Sequence, residues 1–211
     1  MTFGGDEVQL AMKRVAEALR VNVDYLTELD QAVGDGDLGV TAGKTADALQ
    51  TYAEEEAGED LGRYLAGSGM AINRVASSTM GTLLATALMR AGKEVKGKAV
   101  LDADDLSTML TAARVGMQER GKAKLGDKTI LDALEPAEAT FKEALSRGDS
   151  LHSAAAEMVG AAQAGLETVT PLRSRIGRAG WVGERTEGKV DPGCALFIIV
   201  LEALASKESV A

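Results

Sequence analysis

Three aspartates, Asp30, Asp35 and Asp37, fall within eight positions, with Gly34, Gly36 and Gly39 interleaved among them. Carboxylates this close repel by about 1 kcal/mol per pair in water and by more in a poorer dielectric. A stretch that gathers them points to a hard cation, and oxygen-only donors favour Mg²⁺ or Ca²⁺. Asp35 and Asp37, two apart in an extended loop, would face the same side, with Asp30 joining them from the end of a preceding helix. The glycines allow backbone conformations closed to other residues and let a bulky ligand approach. Asp-Gly pairs are also ordinary turn formers, which is the competing reading of any one of them. An EF-hand does not fit, because the twelfth positions counted from Asp30 and Asp35 are Thr41 and Ala46 rather than Glu.

Other stretches carry groups suited to an anion. Arg173, Arg175, Arg178 and Arg185 place four guanidiniums in thirteen residues, and the arginine fork suits phosphate; the alternative is a solvated surface run. Ala76 to Gly81 is a small-residue stretch ahead of a helix. Its free N–H groups can receive a phosphate, or its small side chains can serve close helix packing. Gly121 to Thr129 has the look of a phosphate-binding P-loop but is not one: Asp127 separates Gly126 from Lys128, and the loop follows a helix rather than a strand. It is either a solvated basic turn or a lid or docking face. Trp181, the one tryptophan, covers a ligand, packs in a core or meets a partner. The one histidine, His152, lies among Ser and Ala on an expected helix surface, so chemistry needing a histidine base or a covalent histidine is not expected of this chain.

The elements that must position these groups read as helices. The composition is 45% hydrophobic but only 3% aromatic, a mixture of Ala, Leu, Val and Met that suits packed helices better than a sheet. Apolar spacings of three and four predict helices over 6–24 (with Asp6 as N-cap), 25–33, 39–53, 61–75, a stretch ending near Arg90, 102–120, 130–145 and 150–168. Leu106, Met109, Leu110, Ala113 and Met117 would share one face of the sixth of these. Gly67 and Gly69 would interrupt the fourth. The three prolines are expected in connections or at helix starts. A long Arg- and Gly-rich connection, 170–192, leads to a last helix to about Ala205, with Asp191 as N-cap and Pro192 at its first position. About eight helices and no alternating strand pattern predict an antiparallel bundle or barrel, one domain over 1–211, with the loops at 30–39, 76–81, 121–129 and 170–193 converging at one end.

The formal net charge of −9 argues against nucleic acid or an anionic membrane as main partner. Cys194 is the lone cysteine, so no disulfide framework exists. The longest apolar run, Cys194 to Leu201, is too short to span a bilayer and no apolar signal region opens the chain, so a cytoplasmic location is expected.

Three segments taken together resemble one family. They are Leu29-Asp30 through Asp37 and Gly39 (pattern L-D-x-x-x-G-D-G-D-x-G), Gly126-Asp127-Lys128-Thr129-Ile130-Leu131-Asp132-Ala133-Leu134 with Pro136, and Gly183-Glu184-Arg185-Thr186 with Asp191-Pro192-Gly193. In this order they resemble the nucleotide-binding L subunit of dihydroxyacetone kinase, the DhaL or Dak2 domain family, across nearly the whole chain. The resemblance implies an all-α, antiparallel eight-helix barrel with the nucleotide at one end. It implies that Asp30, Asp35 and Asp37 hold two Mg²⁺ ions bridging the phosphates of ADP or ATP. Leu38, Gly39, Val40 and Thr41, then Ser78, Thr79 and Met80, then Asp191, Pro192 and Gly193 would line the nucleotide, with Gly121, Ile130 and Arg178 nearby and Arg178 adding positive charge at the reacting phosphate.

The same resemblance implies that the ketose, dihydroxyacetone or a relative such as erythrulose, is held by a histidine of a separate K subunit, and that a phosphocarrier protein or a transcription regulator are further partners. Two positions depart from the family: Leu38, where members dependent on the phosphotransferase system carry His and ATP-dependent members often Cys or Thr, and Ser77 to Met80, where paired glycines and a Ser are usual. Both donors therefore stay open, ATP directly or a bound ADP recharged by a carrier. The competing functions are a non-catalytic adaptor of the same fold and the nucleotide module of a fatty-acid-kinase-like system.

Overall fold

The computed structural model describes residues 2–55 and 57–206. Among them the regular elements are helical: α1 (Gly5–Val21), α2 (Val23–Val33), α3 (Leu38–Tyr52), α4 (Leu61–Val75), α5 (Thr79–Glu94), α6 (Ala103–Gly121), α7 (Leu131–Ser146), α8 (Leu151–Val169), the short α9 (Gly177–Val182), a 3-10 turn over Gly183–Thr186, and α10 (Pro192–Ala205). An isolated antiparallel bridge pairs Phe3 with Leu101, each donating its N–H to the other's carbonyl at 2.9 Å.

Side chains start most of these helices. Asp60, Ser78, Asp102, Ser150 and Asp191 each accept the backbone N–H three residues on, which satisfies one of the donors that a helix start leaves free. The expected cap at Asp6 is not found. The helix begins two residues earlier, with Gly4 as N-cap and its N–H bonded to Glu7 at 2.8 Å, while Asp6 lies in the first turn. Pro136 also departs from expectation: it lies inside α7 rather than at its start.

Packing closes the helices into a ring. Contacts run from α1 to α3, α4, α5, α6, α7, α8 and α10 and from α10 back to α1, giving eight staves, with α2 lying against α1, α3 and α10. The all-helical, eight-membered barrel of the sequence reading is the observed fold. One half of the core comes from α1 to α4, with Leu19, Leu26, Leu61 and Ile72 among its most buried members. The other half gathers Leu131, Leu134, Phe141 and Met158 from α7 and α8. α10 serves both halves: Ala195 and Leu196 face the first and Cys194, Phe197, Ile198 and Leu201 the second. Its residues from Pro192 to Ile198 are all buried, as suits a helix apolar on all sides, while its last turn, with Glu202 and Leu204, reaches solvent.

The glycines of α4 do not interrupt it. A Cβ at Gly69 would lie 2.8 Å from the Ala85 carbonyl oxygen, and one at Gly92 would lie 2.8 Å from the Ala66 nitrogen. Both keep the antiparallel α4 and α5 backbones close. The face expected of α6 is split. Met117 is buried, Leu106 and Leu110 border the second half of the core, and Met109 borders the first. α6 is fixed to α7 instead by the buried Glu138, which takes Arg114, Thr111 and Lys142. Burial alone would raise the Glu138 carboxyl, but Lys142, Thr111 and Arg114 together hold it below the usual range. No helix among the described residues is long and apolar enough to cross a membrane.

Candidate nucleotide and metal site

α2 ends at Val33 and α3 begins at Leu38, so the acidic loop is four residues of non-helical chain held at both ends by helix. Gly36 turns it with φ of +79°, a conformation that L side chains rarely adopt. Asp30, on the last turn of α2, reaches back over the loop and accepts the Leu38 N–H at 3.1 Å. The result is that one carboxylate oxygen each from Asp30, Asp35 and Asp37 lies within 4.8 Å of the others. Asp30 is half-buried and the other two are exposed. Burial first, and then the Asp30 charge, raise the Asp37 carboxyl above its ordinary value. Three oxygen donors converging with solvent access fit a hard divalent cation such as Mg²⁺.

A cation already stands at this cluster. Arg178, on α9, places Nη1 against Asp35 and 3.0 Å from Asp37 Oδ2. Its side chain remains 64% exposed, which leaves it free to move off the carboxylates.

The acidic loop opens on a cavity of about 180 Å³ lined by Asp37, Val40, Thr41, Lys44, Ala76, Ser77, Ser78 and Arg178. A second cavity of about 280 Å³ shares Ser77 and Ser78 and continues along Thr79, Thr82, Leu83 and Arg120. Between them stands the N-terminus of α5. Ser78 Oγ accepts the Gly81 N–H at 3.0 Å and the Thr41 hydroxyl at 2.7 Å. The first-turn N–H groups of Thr79 and Met80 are then those left for an anion, at the positive end of a 16-residue helix.

The structure thus gathers Asp30, Asp35, Asp37, Val40, Thr41, Ser78, Thr79 and Arg178 around one groove. Leu38 and Gly39 are placed differently. Leu38 is 5% exposed and its side chain belongs to the core, so its N–H, bonded to Asp30, is what it offers the site. Gly39 is where α3 meets α2: a Cβ there would strike the Thr27 hydroxyl and the Val23 carbonyl. Met80, Ile130 and Gly193 form a separate meeting point, since a Cβ on Gly193 would lie 3.1 Å from Met80 Cε and 3.2 Å from the Ile130 nitrogen. Ile130, Asp191 and Pro192 are buried and line neither cavity. Gly121 lies behind Leu83, with its Cβ direction 3.6 Å from a Leu83 methyl. Lys44 and Arg120 line the groove without having been singled out in the sequence. The position of Lys44 one turn after Val40 on α3 was the available signal, since it puts the ammonium on the face that carries Val40.

Two further places narrow their alternatives. Gly121 to Thr129 is solvated in its first half, where Lys122, Lys124 and Leu125 are exposed, and buried in its second, where Asp127 and Lys128 are 3% and 2% exposed. The Lys128 ammonium donates to the carbonyls of Thr170, Leu172 and Thr186 at 2.8, 2.9 and 2.6 Å, and burial pushes it below its ordinary value. Trp181 does not pack in the core, being 93% exposed.

The sequence and the fold have relatives among known proteins. Residues 32–206 match the family model described as the DAK2 domain. The chain belongs to the DAK2 domain family. Within it, the chain is 34% identical over 192 residues to the "PEP-dependent dihydroxyacetone kinase 2, ADP-binding subunit DhaL" of Listeria innocua, covering 86% of each chain. It is 28% identical over 210 residues to the corresponding ADP-binding subunit of Escherichia coli, covering 99% of this chain and all of that one. Among solved structures, the dihydroxyacetone kinase from C. freundii in complex with AMP-PNP and Mg²⁺ superposes with a TM-score of 0.73 at 25% identity, over 99% of this chain. The chain spans about a third of that kinase, 35% of its length. These DAK2 relatives are phosphotransferases whose acceptor is an alcohol.

Proposed function

We propose that the chain is the nucleotide-binding, phosphoryl-donor subunit of a kinase acting on dihydroxyacetone or a related short-chain ketose. The observation that carries this reading is the convergence of the Asp30, Asp35 and Asp37 oxygens beside the α5 N-terminus, with Arg178 and Lys44 on the same cavity wall. Carboxylates alone would repel a nucleotide, so the acids need a cation between them and the phosphates. Asp30, Asp35 and Asp37 would hold Mg²⁺, two ions in this proposal, and Mg²⁺ would supply neutralisation of phosphate charge and polarisation of the transferring group.

The chain's own groups supply the rest. The Thr79 and Met80 N–H groups receive phosphate oxygens. The Thr41 and Ser78 hydroxyls, fixed to each other, border the same place. Arg178 leaves the carboxylates for the phosphate, where its charge offsets what develops on the transferring group. Phosphoryl transfer asks mainly for such positioning and charge, not for a covalent residue. The ketose belongs elsewhere: the one histidine, His152, is exposed on α8, and the relatives carry the name of an ADP-binding subunit. A partner chain that holds the ketose is therefore part of the proposal.

The test is the nucleotide content and exchange of the purified chain with Mg²⁺. ADP that co-purifies and resists exchange supports a bound nucleotide recharged by a phosphocarrier. ATP that binds reversibly supports direct donation. Failure to bind either overturns the reading and favours an adaptor.

A further inference from the structure

α9 carries Arg178 but buries none of its own residues. Nothing in the core therefore fixes where that guanidinium stands, and its placement over Asp35 and Asp37 depends on how the two ends of the surrounding loop are held. Arg173 pairs with Glu184 and Glu187 across the loop, but these groups are 48–81% exposed, and exposed pairs hold weakly. The strong closure is at the base. Thr170 and Leu172 precede the loop and Thr186 follows it, and their three carbonyls are the acceptors of the Lys128 ammonium. All three ammonium donors are used, and all three go to this one segment. Three further hydrogen bonds surround it: Arg175 N–H to the Asp127 carbonyl, Gly188 N–H to the Thr170 carbonyl, and Ser174 N–H to the Thr186 hydroxyl.

A buried ammonium bonded only to carbonyls is a costly way to gain stability, because a well-packed apolar side chain does as well without desolvating a charge. What the charge adds is geometry, a fixed point that draws both ends of the loop to one atom. Lys128 also stands two residues before Ile130, so the same atom links the α6–α7 connection to the arginine loop.

We propose that Lys128 is a positioning residue for the nucleotide site: by closing the base of the 173–185 loop it sets Arg178 over the acidic loop, and it acts on bound nucleotide through Arg178. This rests on the nucleotide-binding reading above.

The experiment is a double-mutant cycle on the full chain, reading the affinity for Mg²⁺-ADP of the wild type, Lys128→Met, Arg178→Ala and the double variant. Loss of one charge-assisted phosphate contact weakens binding about tenfold. Lys128→Met is expected to weaken binding as much as Arg178→Ala does, with the double variant no weaker than Arg178→Ala alone. A merely structural loss would multiply with the arginine effect, so a double variant weaker by the product of the two, or Lys128→Met binding like wild type, overturns the proposal. Trypsin gives a second readout, since Arg173, Arg175, Arg178 and Arg185 lie in the loop. Cleavage there is expected to accelerate in Lys128→Met while the helical signal stays, and an unchanged cleavage rate also overturns the proposal. This readout holds even where the wild type binds no nucleotide, an outcome that would count against the functional reading alone. Should Lys128→Met fail to fold, Thr186→Ala loosens the same closure from its other side and enters the same cycle, with additivity again the overturning result.

Discussion

Arg178 Nη1 stands 3.0 Å from Asp37 Oδ2 across 141 residues of chain. The guanidinium is therefore the counter-ion of the acidic loop, and in the proposed function it competes with the metal for the same carboxylates. Exposed pairs of this kind are worth up to about 1 kcal/mol, which makes the competition real but easily reversed.

Opposite effects on two ligands follow. Arg178→Ala is expected to tighten binding of Mn²⁺ alone by up to about fivefold, because a competing cation worth up to about 1 kcal/mol is gone. The same change is expected to weaken binding of Mg²⁺-ADP, because a phosphate contact is lost. Titration calorimetry with each ligand checks both signs. A variant that weakens both would show that the arginine does not compete for the carboxylates.

Asp35→Ala removes one donor of the cluster from an exposed position, with no core contact to lose. Metal-dependent nucleotide binding is expected to vanish, while the melting temperature without metal shifts by no more than about 2–4 °C, the equivalent of about 1 kcal/mol in a chain of this size. Thermal denaturation by circular dichroism, with and without Mg²⁺, separates the two effects. Retained Mg²⁺-nucleotide affinity would remove Asp35 from the metal site.

Burial, and secondarily the nearby Asp132 charge, raise the Asp191 carboxyl to about 6, against the lowering effects of the Cys194 N–H and of Lys128. The folded state thus holds a proton that the unfolded chain has released between about pH 4 and 6. Stability therefore falls as pH rises through that window and is level above it. The full swing is about 3 kcal/mol from a shift of about two units. Asp191→Asn keeps an acceptor for the Cys194 N–H and removes the titration. Urea midpoints at pH 4.5 and 7.5 should show the variant gaining on wild type at the higher pH, and parallel midpoints would refute the buried-carboxyl account.

One substitution has opposite signs at two glycines. In a helix interior Gly→Ala gains up to about 1 kcal/mol. At Gly160 nothing lies within 4 Å of the added methyl, so that gain should appear in full. At Gly69 the methyl meets the Ala85 carbonyl at 2.8 Å, and overpacking of about 1–3 kcal/mol outweighs the gain. Chemical denaturation of the two variants tests the close approach of α4 and α5.

The sequence carried much of this architecture and lost specific parts of it. The bounds of α4 and the Asp191-Pro192 start of α10 were legible because apolar spacing and cap chemistry agree there. The acidic loop was legible because three carboxylates and three glycines so close together have few structural uses. α9 was not, because six residues with two glycines and no buried face carry no periodic signal. Asp6 lost the cap to Gly4, since a Glu7 side chain bonding back to the Gly4 N–H does the same work from inside the helix. Lys128 was unreadable for a different reason. A lysine between polar neighbours reads as solvated, and only the return of the 170–186 segment, more than forty residues on, supplies the three carbonyls that bury it.

The ring closes only when α10 meets α1, and α10 also divides its side chains between the two halves of the core. Translation delivers α10 after every other described helix. Neighbouring pairs such as α4–α5 and α7–α8 involve contacts local in sequence and can form early, whereas the α1–α10 seam waits for the longest loop closure in the molecule. At the start of this last helix Gly193 lies against Met80, two residues after Ser78. Closing the barrel is therefore the folding step that must bring together the parts of the described chain farthest apart in sequence, and α10, shared by both halves of the core, is where the two halves become one.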